Sequence, residues 1–191
     1  MSDSQVEKNI SYELFRAKAA FEVVRGLAEI KCANPDFKFH IEYSLRFFDA
    51  YSRWCGHIYE TLKALVCNDP SYGNLDKYQK VDKAIQKFSR FIIDNIPEQE
   101  GHIPCSLKKG FSRDLRIVRN RCSFHCEISR IETELLNEFK DNHHTTIGNI
   151  FIYLCKSSLV KPLDSFDDLG HIEKFFNISI IGKAQSYTIK N

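Results

Sequence analysis

Val6, Ile10, Leu14, Ala17, Phe21, Val24 and Ala28 follow one another at steps of three and four, the spacing that draws one apolar stripe along an α-helix. The stepping returns in Ile41, Leu45, Phe48, Cys55, Ile58, Leu62 and Leu65, and again in Leu75, Tyr78, Val81, Ile85, Phe88 and Ile92. A strand would need alternation with period two, and this half of the chain has none. Asn34-Pro35 and Asn68-Asp69-Pro70 interrupt the pattern, because a proline disfavours helical backbone in the residue before it. The spacing therefore predicts one helix from about residue 4 to 32, a second closed at Asn68, and a third from near Asn74 to just before Pro97. Short connections between long helices favour antiparallel neighbours.

From Ser106 the stripe resumes through Leu107, Phe111, Leu115, Val118 and Cys122, then Ile128, Ile131, Leu135 and Phe139. One straight helix of that reach would run about 50 Å, so a bend or break is expected near its middle. Ile147, Ile150, Phe151 and Leu154 fit a helix entered at Thr145-Thr146, although their β-branched and aromatic content also allows a short strand. Leu169, Ile172, Phe176 and Ile180 suggest a last helix before a frayed tail at 183–191. Only 8 Gly and 5 Pro are spread over 191 residues, too little turn chemistry for a β-sandwich or a doubly wound sheet. The expected fold is an all-α antiparallel bundle of about five to six helices, forming one domain over 1–182.

Hydrophobic residues at 43% and charged residues at 27% are globular proportions. Seven cysteines, an odd number without a CxxC, argue against a disulfide framework and for small buried hydrophobes. The start MSDSQVEKN lacks the basic and apolar regions of a signal peptide, and no apolar run is long enough to span a bilayer. A cytoplasmic protein without a membrane partner is the expectation.

Net charge is only +2, yet the fourth helix is polarised. Lys108, Lys109, Arg113, Arg116, Arg119 and Arg121 face a single acid, Asp114, whereas Glu127, Glu132, Glu134, Glu138 and Asp141 dominate beyond His125. Concentrated positive charge of this kind can neutralise phosphates. It can equally be a solvated face paired to acids on neighbouring helices.

Within that helix, RNRCSFH (Arg119 to His125) resembles the motif of the HEPN family, in which an arginine and a polar residue precede a histidine by a few positions. The FH ending after an RNR start is most similar to the abortive-infection and toxin branches. The resemblance in motif covers those seven residues, and the helical layout extends it loosely over about 40 to 140. It implies a helical bundle, commonly a homodimer, that often cleaves RNA without a metal or other cofactor. It also implies a toxin–antitoxin or phage-defence setting, with a minimal nucleotidyltransferase as a possible antitoxin.

RNA carries its own nucleophile, so such a site needs few parts. His125 suits general acid–base work because imidazole titrates near neutrality, and Arg119 offers a permanently charged fork to phosphate oxygens. Asn120 could orient the histidine or donate to the phosphate. Arg121, Arg116, Arg113, Lys109 and Lys108 are the candidate RNA-binding cations. A non-catalytic HEPN-like module for RNA binding or protein interaction is the alternative.

On a straight helix Arg119 and His125 lie about 120° apart in projection. Either the helix distorts before His125, or Arg119 meets a symmetry-related histidine across a twofold cleft; the resemblance favours the dimer. Cys122, His125 and Cys126, with His143 or His144, could present soft ligands, but the spacing is no standard zinc pattern and no metal is expected. His143-His144 reads as a cap at a helix end, and His40, His57, His102 and His171 show no partners. Trp54, with Phe47 and Phe48, reads as core or dimer interface. No Walker loop, GxGxxG or HExxH is present.

Overall fold

The computed structural model describes residues 3–34, 41–96, 103–123 and 132–162. Every regular element among them is helical, with five α-helices and no strand: α1 Asp3–Ala33, α2 Ile41–Asn68, α3 Tyr78–Asn95, α4 Phe111–Val118 and α5 Thr133–Lys156. A single 3₁₀ turn, Pro70–Tyr72, precedes α3, and a π-helical turn, Arg119–Ser123, follows α4. No described helix is long and apolar enough to cross a membrane. The last expected helix and the 183–191 tail lie outside the described residues.

The boundaries of α1 and α2 match the proline breaks, and the later helices depart from the expected ones for local reasons. Asp69 accepts the backbone N–H of Ser71 at 2.9 Å and caps the 3₁₀ turn, which delays α3 to Tyr78. The fourth helix starts at Phe111 rather than near Ser106, because Gly110 takes φ 89°, a left-handed conformation that glycine adopts without penalty. Helix length predicts a bend or break near the middle of that reach; the described part carries the π turn there, and residues 124–131 lie outside the described ones. Helix α5 runs without interruption through Thr145-Thr146, so those residues are neither a cap nor part of a strand. Thr146 is buried within α5, where Asn149, one turn on, donates to the Ile103 carbonyl at 2.9 Å.

Helix α2 occupies the centre and touches every other helix. His57 pairs with Glu13 and Trp54 packs on Phe21, so α1 runs antiparallel to α2. Helices α3 and α4 are likewise antiparallel: Gln86 meets Ser112 at one end and Asp82 meets Arg116 at the other. Trp54, Ile58, Leu62, Ile85, Phe111, Leu115, Ile147 and Leu154 are fully buried in one core. The sequence left Trp54 between core and interface; it is core, set edge-on against Tyr51 and Phe151.

Two readings of single residues are corrected. His57 has a partner, since its Nδ1 lies 2.7 Å from Glu13 Oε2 with the ring almost wholly buried; His40, His102 and His171 are outside the described residues. Of the cysteines described, only Cys55 is fully buried, Cys32 and Cys67 are exposed, and all are free thiols. A small thiol at a helix surface is tolerated without burial, so the count of cysteines overstated their share of the core.

Ile58→Ala should cost about 2–5 kcal/mol, because the site is enclosed on all sides and cannot collapse fully. Val23→Ala, at an exposed position of α1, should stay within about 0.5 kcal/mol. Urea denaturation of the two variants measures the contrast.

Candidate functional site

The RNRCS segment is where the motif helix changes its winding. A π turn adds a residue to the helical repeat, so side chains five apart come to share a face in place of those four apart. Arg119, Asn120 and Arg121 leave the helix from this turn. His125 and Cys126 lie outside the described residues.

Arg119 is held on two sides. Its Nε sits 2.7 Å from Oε1 of Glu60 on α2, with both atoms sealed from solvent in an ion pair that lacks the alignment of a hydrogen bond. Its Nη1 donates to Asn120 Oδ1 at 3.0 Å. About a third of the arginine side chain, 34%, still faces solvent. These two contacts restrain the guanidinium, and Asn120 bonds to Arg119.

The rest of the basic run is largely paired within the chain. Arg116 Nε donates to both oxygens of Asp82 on α3, at 2.9 and 3.1 Å, and its guanidinium lies 4.7 Å from the centre of the Tyr78 ring. That contact explains why Tyr78, assigned to the apolar stripe, stands at the surface. Arg121 reaches Glu132 at 3.2 Å and Arg113 reaches Asp114 at 2.9 Å. Lys108 donates to Asn142 at 2.8 Å, and Lys109 is exposed.

Between these ion pairs stands Tyr59. Burial pushes its hydroxyl up to about 12, with Asp82 and Glu60 adding to the rise and Arg116 and Arg119 opposing it. Cys122 is pushed up to about 11, first by burial and then by Glu132. It is a neutral thiol near pH 7, neither an activated nucleophile nor a ready metal ligand. Among the described residues no three His, Cys, Asp or Glu side chains gather as a metal site would require.

His143 and His144 lie inside α5 and cap nothing. His143 is buried with Nε2 3.1 Å from Asp114 Oδ2. His144 meets the Tyr51 hydroxyl at 3.1 Å and stacks on that ring. Both contacts are tertiary and replace the carbonyl-capping role that the sequence assigned.

Glu60, Asp82 and Tyr59 escaped the sequence reading. A signal existed for the acids. Glu60 is the sole acid between Asp49 and Asp69, and Asp82 sits beside Val81 and Ile85 on the buried side of α3. A carboxylate on an apolar face needs a cation, and an arginine-rich helix supplies one. Comparison of the chain with protein-family models, curated proteins and solved structures found no match.

Both α5 histidines titrate below the usual imidazole range. Burial is the main cause in each case, opposed at His143 by the bond to Asp114 and reinforced at His144 by Lys140. The unfolded chain therefore takes up these protons first. As pH falls below about 6.5 the unfolded state gains protons that the fold resists, and stability is lost until the depressed folded values are reached. Urea midpoints should fall between about pH 7.5 and about pH 5.5, and less steeply in His143→Gln. Equal pH dependence in the two proteins would show that His143 carries none of it.

Proposed function

We propose that the chain is a metal-independent endoribonuclease of the HEPN type, acting as a homodimer in a toxin–antitoxin or phage-defence setting. The observation that carries this reading is the π turn at Arg119–Ser123, which coincides with the motif. Such turns are rare and concentrate at functional sites, because they re-aim side chains at the expense of regular hydrogen bonding. Here the turn presents an arginine whose guanidinium is already restrained by Glu60 and Asn120. A restrained fork stabilises charge with less reorganisation during the reaction.

In this reading His125 removes the 2′-hydroxyl proton of RNA. The freed oxygen attacks the adjacent phosphorus, and the 5′-oxygen departs with a proton from the acid form of a histidine. The products are a 2′,3′-cyclic phosphate and a 5′-hydroxyl end. Arg119 binds the non-bridging oxygens as they gain charge. A minimal nucleotidyltransferase antitoxin is the partner type that the motif resemblance implies.

A second reading, a non-catalytic HEPN-like module, draws on the pairing of Arg116, Arg119 and Arg121 with Asp82, Glu60 and Glu132. Paired arginines serve a scaffold as well as they serve a site.

Purified protein incubated with total RNA in EDTA should leave 2′,3′-cyclic ends, and His125→Ala should abolish cleavage while preserving RNA affinity and helicity. Binding without cleavage by the wild type would select the module instead.

The site's assembly is testable by mixing Arg119→Ala with His125→Ala subunits. If the composite site forms across a dimer, one half-site of each heterodimer keeps both groups and partial activity returns. If the π turn brings the pair together within each chain, every half-site carries a defect and nothing returns.

A further inference from the structure

Of the cations that the sequence offered for RNA binding, the three arginines are paired with carboxylates, whereas Lys108 and Lys109 keep their charge. Arg113, Arg116 and Arg121 pair with Asp114, Asp82 and Glu132, as Arg119 of the motif does with Glu60, and Lys108 donates only to the neutral amide of Asn142. A protein gains affinity for a polyanion from charges that are not already neutralised. Uncommitted positive charge lies on α3.

Lys80, Lys83, Lys87 and Arg90 recur at steps of three and four, so they share one face of α3, and all are exposed. Lys80 pairs with Asp76 at 2.7 Å. Lys83 and Arg90 have no acidic partner among the described residues, and Lys87 lies 5.6 Å from the centre of the Tyr72 ring. Among the described residues, the acids near this face stand at its margins: Asp76, Asp94 one turn beyond Arg90, and Asp69 towards Lys87. Phe91 belongs to the same face. It is 52% exposed, and its ring lies parallel to that of Phe88, with 6.4 Å between centres.

This face adjoins the basic turn before α4. Gln86 Nε2 donates to the Lys108 carbonyl at 3.0 Å, and Gln86 Oε1 accepts the Ser112 N–H at 3.1 Å. Lys83 and Arg90, three residues before and four after Gln86, flank that junction on α3. Exposed Lys109 sits at the junction itself, one residue after the carbonyl that Gln86 holds.

We propose that single-stranded RNA is gripped here and not on the motif helix, with its phosphates on Lys83, Lys87, Arg90 and Lys109 and an unstacked base on Phe91. The proposal rests on the reading of the chain as an RNA-processing protein and supplies that reading with a substrate path. An exposed aromatic ring among unpaired cations matches what an unpaired strand offers, charge along the backbone and a free base face. A duplex hides its bases in the stack and would leave Phe91 without a partner.

The test measures binding of a labelled single-stranded 2′-O-methyl RNA, which lacks the nucleophile and cannot be cut, across a salt series, beside the same strand in a duplex. Lys83→Glu with Arg90→Glu should weaken binding at least about tenfold and reduce the salt slope by about 2. Phe91→Ala should weaken binding about fivefold or more, with the slope unchanged. On cleavable RNA the charge-reversed protein should show a raised KM with kcat retained. All three residues are exposed, so folding is not at risk, and far-UV circular dichroism checks it. Unchanged affinity in both variants, with a wild type that binds RNA, would overturn this surface and leave the ribonuclease reading standing. Equal affinity for duplex would overturn the stacking of a base on Phe91. A wild type that binds no RNA but captures anionic vesicles or acidic peptides through these residues would overturn the surface and the ribonuclease reading together.

Discussion

Between Ala50 and Leu62, helix α2 shows solvent only Arg53 and part of Glu60; every other residue of that stretch is buried. A helix enclosed in this way meets its neighbours on all sides, so α1, α3, α4 and α5 are each placed by their fit against it. Glu60 is the one charge that this enclosed stretch turns towards the motif. A carboxylate so placed must be paired to be tolerated, and its pairing with Arg119 ties the motif arginine to the centre of the fold.

Asp82 does the same for Arg116 from α3, whereas Arg121 meets Glu132, beside the start of α5, in an exposed pair. The polarised fourth helix is therefore built into the bundle by its own charges. Helices α2 and α3 and the residue before α5 each contribute a carboxylate, and the arginines that meet them stand at positions 116, 119 and 121 of one segment. This pattern separates two tasks that a single basic helix would otherwise combine. Orienting a guanidinium requires partners that hold it, whereas attracting a polyanion requires charge that is not yet neutralised. In the proposed reading Arg119 performs the first task and the α3 face the second.

The π turn marks where regular geometry yields to that arrangement. An α-helix spaces neighbours on one face at three and four residues, and one wider turn changes the direction of everything before it relative to everything after. The π turn falls within RNRCS, near the middle of the reach where helix length predicts a bend or break. Length alone could not say which residue would leave the regular repeat; within the turn Arg119 pairs with Glu60 of α2, 59 positions earlier, and Arg121 with Glu132, 11 positions later.

Helical periodicity, the proline breaks and the scarcity of glycine determined the all-α class and the limits of α1 and α2, because these are local properties in which each residue's neighbours are known. The same local rules misplaced the start of α4, where Gly110 reverses the backbone, and read Thr145-Thr146 and His143-His144 as helix-end signals in the middle of α5. The tertiary structure alone decided which charges are spent. Whether Arg116 or Arg119 is a free cation depends on Asp82 and Glu60, 34 and 59 positions earlier, and pairing across helices follows distance in space and not in sequence. The lysines of α3 were legible all along as a stripe at helical spacing. They gained significance only when the arginines of the neighbouring helix proved to be neutralised within the chain.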